Sequence, residues 1–217
     1  VIFSIEVLSS IWNLANYPFF CYLLVYDMKK IAILASGGGS NAESILKHFS
    51  LNKTISVSMV ISNKRNAGVF DRAEKYNVPC LWLNDDAFKK KILSNYLFKV
   101  KPDLIVLAGF LLKISSELIR EFPRKIINIH PSLLPSYGGK GMFGDNVHKI
   151  VKKNGETQTG ITIHYVNEEY DKGEIIFQKK VNISKNDSVN DISKKVQALE
   201  HLYYSRIIEK LLSIEKG

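Results

Sequence analysis

Ile31-Ala32-Ile33-Leu34-Ala35-Ser36-Gly37-Gly38-Gly39-Ser40-Asn41 is the stretch on which the fold turns. Five apolar residues in a row read as a strand buried on both faces, the mark of a parallel sheet covered by helices. The glycines that follow let the backbone turn sharply and let N–H groups approach an anion. Asn41 to Phe49 then carries Ile45, Leu46 and Phe49 at helical spacing. Strand, glycine turn and helix N-terminus in that order suit a phosphate cradle. Gly37-x-Gly39-x-x-Ala42 also meets the loose dinucleotide fingerprint, which wants an acid at the end of the second strand to hold a ribose. That strand ends Ile61-Ser62-Asn63-Lys64, without an acid. A dinucleotide is disfavoured, and a monophosphate or a plain tight turn stays open.

Outward from there, apolar runs alternate with helical stretches. Val57 to Ile61, Cys80 to Leu83, Leu104 to Ala108 and Ile126 to Ile129 read as strands, and Ala67 to Tyr76 and Phe88 to Lys99 as helices. Gly160 to Val166 and Glu174 to Val181 alternate more and read as a strand pair that extends the sheet. Ser188-x-x-Asp191 has capping-box spacing. Behind it Ile192, Val196, Leu199, Tyr203, Ile207 and Leu211 form one apolar face of a final helix. The expected fold is α/β, a mainly parallel central sheet covered by helices, with a C-terminal strand pair and a final helix. No repeat, low-complexity tract or linker interrupts residues 28–217, which are expected to form one domain.

The chain has 217 residues, 46% hydrophobic and 24% charged, which excludes a disordered tail, a collagen-like fibre and a disulfide scaffold. Cys21 and Cys80 lie far apart and in no metal-spaced cluster, so no zinc site is expected and the reducing cytoplasm is the expected compartment. The 30 basic and 21 acidic residues give a net charge of +9. That excess reads either as attraction for an anionic partner or as a lysine-rich background. The lysines are scattered, arginine occurs only at positions 65, 72, 120, 124 and 206, and no nucleic-acid-binding motif occurs. Nucleic acid is therefore not an expected partner.

Residues 1–27 differ from everything after them. Their only charges are Glu6 and Asp27, and Val7 to Tyr26 is mostly apolar, about the length of a bilayer span. No basic start or cleavage site marks a signal peptide, and Asn13, Asn16 and Pro18 weaken a membrane anchor. The sequence begins with Val, while Met28-Lys29-Lys30 leads straight into the first strand. Residues 1–27 are expected to be a non-conforming extension outside the fold, with no membrane association unless they are expressed. Without their two acids the remainder carries +11.

The densest polar constellation is Asn128-Ile129-His130-Pro131-Ser132-Leu133-Leu134-Pro135. Asn128 and His130 are two apart in a strand and share one side of it. They stand where a buried parallel strand ends, which is where open α/β sheets bind ligands. An Asn amide can stabilise a developing oxyanion, and an imidazole beside it can move a proton. Taken alone, such a histidine is more often structural. Asp171-Lys172-Gly173 reads as turn chemistry. Next to an imidazole, the Asp171 carboxylate would fix its tautomer and favour its charged form. His148 and His164 are weaker candidates, His48 reads as surface, and His201 belongs to the final helix. No HExxH, GxSxG, Walker loop or metal-spaced cluster occurs.

Together, the glycine loop, the Asn-x-His-Pro-Ser-Leu-Leu-Pro run and the late Asp resemble the phosphoribosylglycinamide formyltransferase family over residues 28–217. Ser62-Asn63-Lys64, Pro102-Asp103, Leu107-Ala108-Gly109-Phe110 and Gln197-x-x-Glu200-His201 belong to the same ordered set. The resemblance implies a Rossmann-like formyltransferase fold. It also implies formyl transfer from 10-formyltetrahydrofolate, a co-substrate, to the amine of 5-phosphoribosylglycinamide in purine biosynthesis, without a metal. Small molecules are the implied partners, and the protein is a monomer or a homodimer.

By the same resemblance Gly39, Ser40 and Asn41 bind the substrate phosphate, and Gln197 and Glu200 its ribose and glycinamide. Arg72, Asn128 and the backbone of Leu111, Leu112, Lys113 and Ile114 match folate-binding positions. Asn128, His130 and Asp171 match the catalytic trio. Asn128 and protonated His130 would stabilise the tetrahedral oxyanion, His130 would shuttle the proton, and Asp171 would orient and charge His130. Gly38 replaces a common Asn, Leu112 takes a place often held by Arg, and Tyr137 to Gly144 is a variant of the family's mobile segment. His148 matches a family histidine close to the site.

Three rivals stand against that reading. Methionyl-tRNA formyltransferase shares the trio but adds a C-terminal tRNA-binding domain, whereas this sequence ends straight after its last helix. Formyltetrahydrofolate deformylase usually carries His-His-Ser where His130-Pro131-Ser132 stands, and a regulatory domain larger than residues 1–27. A non-catalytic phosphate- or folate-binding paralogue has no need of an intact His–Asp pair.

Overall fold

The computed structural model describes residues 28–89 and 91–214, and the extension expected over residues 1–27 lies outside them. One sheet holds β1 (Lys29–Leu34), β2 (Ile55–Ser62), β3 (Cys80–Trp82), β4 (Leu104–Leu107), β5 (Ile126–His130), β6 (Gln158–Tyr165) and β7 (Ile175–Asn182). Their spatial order is β3-β2-β1-β4-β5-β6-β7. The first five are mutually parallel, and β6 and β7 add antiparallel beyond β5. The helices described are α1 (Ser40–Phe49), α2 (Val69–Glu74), α3 (Asp85–Lys89), α4 (Ile92–Val100), α5 (Ser116–Glu121), α6 (Asp145–Lys153) and α7 (Val189–Ile214). The mainly parallel sheet, the C-terminal strand pair and the final helix are those the sequence implies. Among the described residues no helix is long and apolar enough to cross a membrane.

The pleat of β1 divides the core. Ile31, Ile33 and Ala35 face the layer built by α1, α2, α6 and α7, while Ala32 and Leu34 face the layer of α4 and α5. Both faces are covered, which is why the run from Ile31 to Ala35 is apolar throughout.

Four local differences from the sequence reading have physical causes. The helix expected over Phe88 to Lys99 is two, α3 and α4. α5 was not visible in the pattern because its six residues bury only Leu118; its N-terminus is set by the Ser115 hydroxyl, which accepts from the Leu118 N–H at 3.2 Å. α6 buries only Val147, His148 and Val151, too few for a period to show. In α7 the buried stripe is Ile192, Val196, Tyr204, Ile208 and Leu212, with Leu199, Tyr203, Ile207 and Leu211 only partly buried. These positions step by four, the ridge that helices use to pack. The missing member of that ridge is Glu200. The capping box does form, with Ser188 Oγ accepting from the Asp191 N–H at 3.1 Å and Asp191 Oδ2 accepting from the Ser188 N–H at 2.9 Å.

Where β6 meets β7 there is room for no side chain at Gly160, since a Cβ there would stand 2.0 Å from the Lys179 carbonyl oxygen. Gly160→Ala is expected to destabilise the fold by about 1–3 kcal/mol, the usual cost of overpacking. Urea unfolding followed by circular dichroism measures this; an unchanged midpoint would mean that β7 does not press on β6 as described.

Candidate active site

From β1 the chain turns to β2 on one side, while β4 lies on the other, so the ends of β1 and β4 open a crevice at the switch point of the sheet. Ser36 ties its walls together. Its N–H donates to Gly109 O (3.0 Å), and its hydroxyl donates to Asn63 Oδ1 (2.7 Å) and accepts from the Leu111 N–H (2.9 Å). The loops after β1, β2 and β4 are thereby held as one rim. Gly39 ends the glycine loop with φ 75° and precedes α1; a Cβ there would approach Val69 Cγ2 to 2.6 Å. Only glycine satisfies both the left-handed backbone and that contact.

Arg72 stands behind this loop, donating from Nε to Gly38 O and paired with Glu43. It lies outside the residues that line the cavity and braces the loop.

α1 and α7 meet through polar pairs. Gln197 Nε2 donates to Ser40 Oγ (3.1 Å), and Asn41 Nδ2 donates to Glu200 Oε2 (3.0 Å). The glycine-loop residues and the two α7 residues, more than 150 positions away, thus form one cluster. Asn41 Oδ1 is buried without a partner. Glu200 occupies the vacant place in the apolar ridge of α7. The residue keeps some exposed surface, but its carboxyl group lies in the wall, and burial pushes its pKa up to about 7 against a smaller opposing effect of the Asn41 hydrogen bond.

The second cluster forms where β5 ends. Asn128 pairs with His164 in the β5–β6 register, and Asn128 Nδ2 lies 3.2 Å from His164 Nε2. His164 Nδ1 faces the Tyr165 carbonyl at 2.8 Å. A carbonyl only accepts, so Nδ1 donates to it. His130 is 3% exposed, and its Nε2 faces the Tyr137 carbonyl at 2.7 Å, which places a hydrogen on Nε2 by the same argument. Its Nδ1 lies 3.5 Å from Asp171 Oδ2, while Asp171 Oδ1 lies 3.6 Å from His164 Nε2. The Gly139 N–H donates to Asp171 Oδ2 at 2.8 Å.

Asp171 therefore stands between two imidazoles and a backbone donor, and it reaches that place in a left-handed conformation, φ 55°. Burial raises its pKa, but His164, His130 and the Gly139 N–H prevail and hold the carboxyl below its usual range. For His130, burial prevails in the opposite sense. It lowers the imidazole pKa further than Asp171 and the Tyr137 carbonyl raise it. The expected charged His130 is thus neutral at rest, because 3.5 Å is beyond a good hydrogen bond and burial leaves the cation poorly solvated.

Both clusters face one cavity of about 690 Å³, a volume suited to a cofactor-sized molecule. Asn41, Gln197 and Glu200 line it, as do Asn128, His130, His164 and Asp171, and Leu111 to Ile114 form part of its wall. Gly39 and Ser40 lie just outside. His148 also lines it, and burial lowers its pKa. Among the described residues no group of three or more His, Cys, Asp or Glu side chains is arranged to hold a metal. His164 was only a weak candidate in the sequence, because its link to Asn128 depends on an antiparallel register that no spacing reveals. Tyr204 carried no signal beyond its place in the last helix.

The fold and these two clusters define a Rossmann-like α/β domain with an amide, imidazoles and a carboxylate gathered at one end of its sheet. The chain belongs to the formyl transferase family, whose sequence profile matches residues 29–208. It is 38% identical to the chloroplastic phosphoribosylglycinamide formyltransferase of Arabidopsis thaliana over 83% of this chain and 64% of that protein. It is 36% identical to phosphoribosylglycinamide formyltransferase of Bacillus subtilis over 86% of this chain and 96% of that protein. The chain thus spans just under two thirds of the plant relative and nearly all of the bacterial one. A crystal structure of phosphoribosylglycinamide formyltransferase from Anaplasma phagocytophilum superposes with a TM-score of 0.79 at 33% identity, covering 87% of this chain and 89% of that one.

The Glu200 environment has a measurable consequence. Its pKa of about 7 in the fold exceeds that of an unfolded glutamate, so its contribution to stability is full at low pH and is lost as pH rises through about 7. Glu200→Gln keeps an acceptor for Asn41 and removes the charge. The variant is expected to be more stable than the wild type at pH 8 but not at pH 4, measured by urea unfolding at both. Equal pH dependence in the two proteins would show that Glu200 ionises normally.

Proposed function

We propose that residues 28–217 form a catalytic domain that transfers a formyl group from 10-formyltetrahydrofolate to the amine of 5-phosphoribosylglycinamide in purine biosynthesis, in the cytoplasm. The observation that carries this reading is the single cavity that joins the Asn41, Gln197 and Glu200 cluster to the Asn128, His130 and Asp171 cluster. The names of the Arabidopsis and Bacillus relatives support the activity but not the compartment, the Arabidopsis one being chloroplastic.

In this reading the glycine loop and the first turn of α1 hold the substrate phosphate through backbone N–H groups and the helix dipole. Gln197 and Glu200 hold the sugar and glycinamide from α7. The backbone of Leu111 to Ile114 orients the folate, and apolar neighbours such as Phe110, Met142 and Val166 exclude water.

Asn128 donates its amide hydrogen to the oxygen of the formyl group as charge develops there. Over the whole reaction the amine loses one proton and the departing folate nitrogen gains one. His130, neutral at rest, is fit to accept the first and deliver the second. To do so its ring must leave the Tyr137 carbonyl, with the hydrogen moving to Nδ1, where Asp171 faces it. Asp171 then stabilises the imidazolium during the interval in which the oxyanion exists. The segment after Tyr137 must therefore yield when substrates enter.

Release of tetrahydrofolate from 10-formyltetrahydrofolate, followed with and without the ribonucleotide, tests the proposal. Turnover that requires the ribonucleotide is expected. Equal turnover without it would make the protein a deformylase, and no turnover from folded protein would leave a binding role. His130→Ala and Asp171→Asn are each expected to lower kcat by about 10²–10³ with little change in KM, the scale of losing one transition-state contact. Full activity in either variant would remove that residue from the reaction.

A further inference from the structure

Tyr204 has no part in the chemistry above, yet it is a large, fully buried side chain at 1% exposure. Its hydroxyl donates to the Leu107 carbonyl at 2.9 Å, with the Ile127 carbonyl at 3.4 Å. Leu107 is the register partner of Asn128 across the β4–β5 pair, and Ile127 directly precedes Asn128. Among the described residues no other side chain of α7 hydrogen-bonds to β4 or β5. Tyr204 also lies one turn after Glu200 on the same ridge of α7.

The two clusters of the cavity sit on different elements, one on α7 and α1, the other on β5, β6 and the turn before β7. Transfer requires the amine held from α7 to meet the formyl carbon held at Asn128, so the placement of α7 along β5 sets the reacting distance. Apolar ridges such as Ile192, Val196, Ile208 and Leu212 fix how close α7 lies to the sheet, but they hold no directional bond that opposes sliding along the helix axis. A phenol hydroxyl held by a strand carbonyl does resist it, because the bond is directional and the acceptor belongs to the sheet. A packing role alone would be filled by Phe without burying a hydroxyl that needs a partner.

We propose that Tyr204 is a positioning residue, whose hydroxyl locks α7 in register with the end of β5 so that an amine held by Gln197 and Glu200 reaches the formyl group at Asn128. The assignment rests on the formyl transfer proposed above. Its effect is on alignment, so it acts on kcat and on the fate of the formyl group, and little on the binding of either substrate.

The test is Tyr204→Phe in the full chain, with formyl transfer and formyl release to water measured separately. The expected result is a kcat for transfer about 10- to 100-fold lower, the scale of a misplacement near 1 Å. KM values should stay near those of the wild type, and a larger share of the formyl group should be lost to water. Wild-type kcat and an unchanged ratio of transfer to hydrolysis would overturn the assignment, whatever happens to Tm. Should Tyr204→Phe not fold, 4-aminophenylalanine at position 204 keeps a donor and 4-fluorophenylalanine keeps only the bulk. Transfer with the first and not the second is expected, and equal behaviour of the two would overturn the assignment. A wild-type protein without ribonucleotide-dependent turnover would overturn the functional reading and this assignment with it.

Discussion

A partly buried carboxylate set between two imidazoles is the constraint around which this site is arranged. Asp171 reaches His130 and His164 at 3.5 and 3.6 Å and accepts one backbone N–H from Gly139. None of its imidazole contacts is short enough to be a full hydrogen bond, so the carboxylate acts mainly as a nearby negative charge. Its weight is least when His130 is neutral and greatest when His130 carries a proton. That asymmetry is what a transient imidazolium needs, and it requires burial to be meaningful, because water would screen it. The folds around Asp171 serve that geometry: the antiparallel β5–β6 pair sets Asn128 beside His164, and the turn before β7 brings the carboxylate back to both.

The other half of the cavity is built by a different device. α7 packs on the sheet through a ridge with a step of four, and one member of the ridge is an acid. Glu200 is thereby carried into the wall, where, among the described residues, Asn41 is its one hydrogen-bond partner. Burial then raises its pKa to about 7, a state in which small changes of environment alter its charge. A ligand amine or hydroxyl that enters the cavity is such a change. A charge or donor brought against this carboxyl would shift its ionisation through ordinary electrostatics, with no moving part required.

Much of this was legible from residues alone. The run from Ile31 to Ala35 reads as a strand covered on both faces, and the glycine loop after it, with Asn128 and His130 two apart at another strand end, pointed to the end of the sheet where the cavity lies. What was not legible depends on three-dimensional register. His164 joins Asn128 only through an antiparallel pairing, and Glu200 reaches the cavity wall because the fully buried stripe of α7 steps by four through position 200. α5 and α6 were invisible because each buries too few residues for a period to form. The neutral state of His130 was missed for a related reason. A neighbouring acid can be guessed from a motif, but the burial that outweighs it cannot.

The central claim is that Asp171 raises the proton affinity of His130 while burial keeps it low enough for the ring to be neutral at rest. Nitrogen-15 NMR of the histidine rings across pH, in the wild type and in Asp171→Asn, measures both quantities. The account expects a neutral His130 with its hydrogen on Nε2 near pH 7, and a titration that moves to still lower pH when the carboxylate is neutralised. A His130 titration that stays in place or moves upward in Asp171→Asn would contradict it.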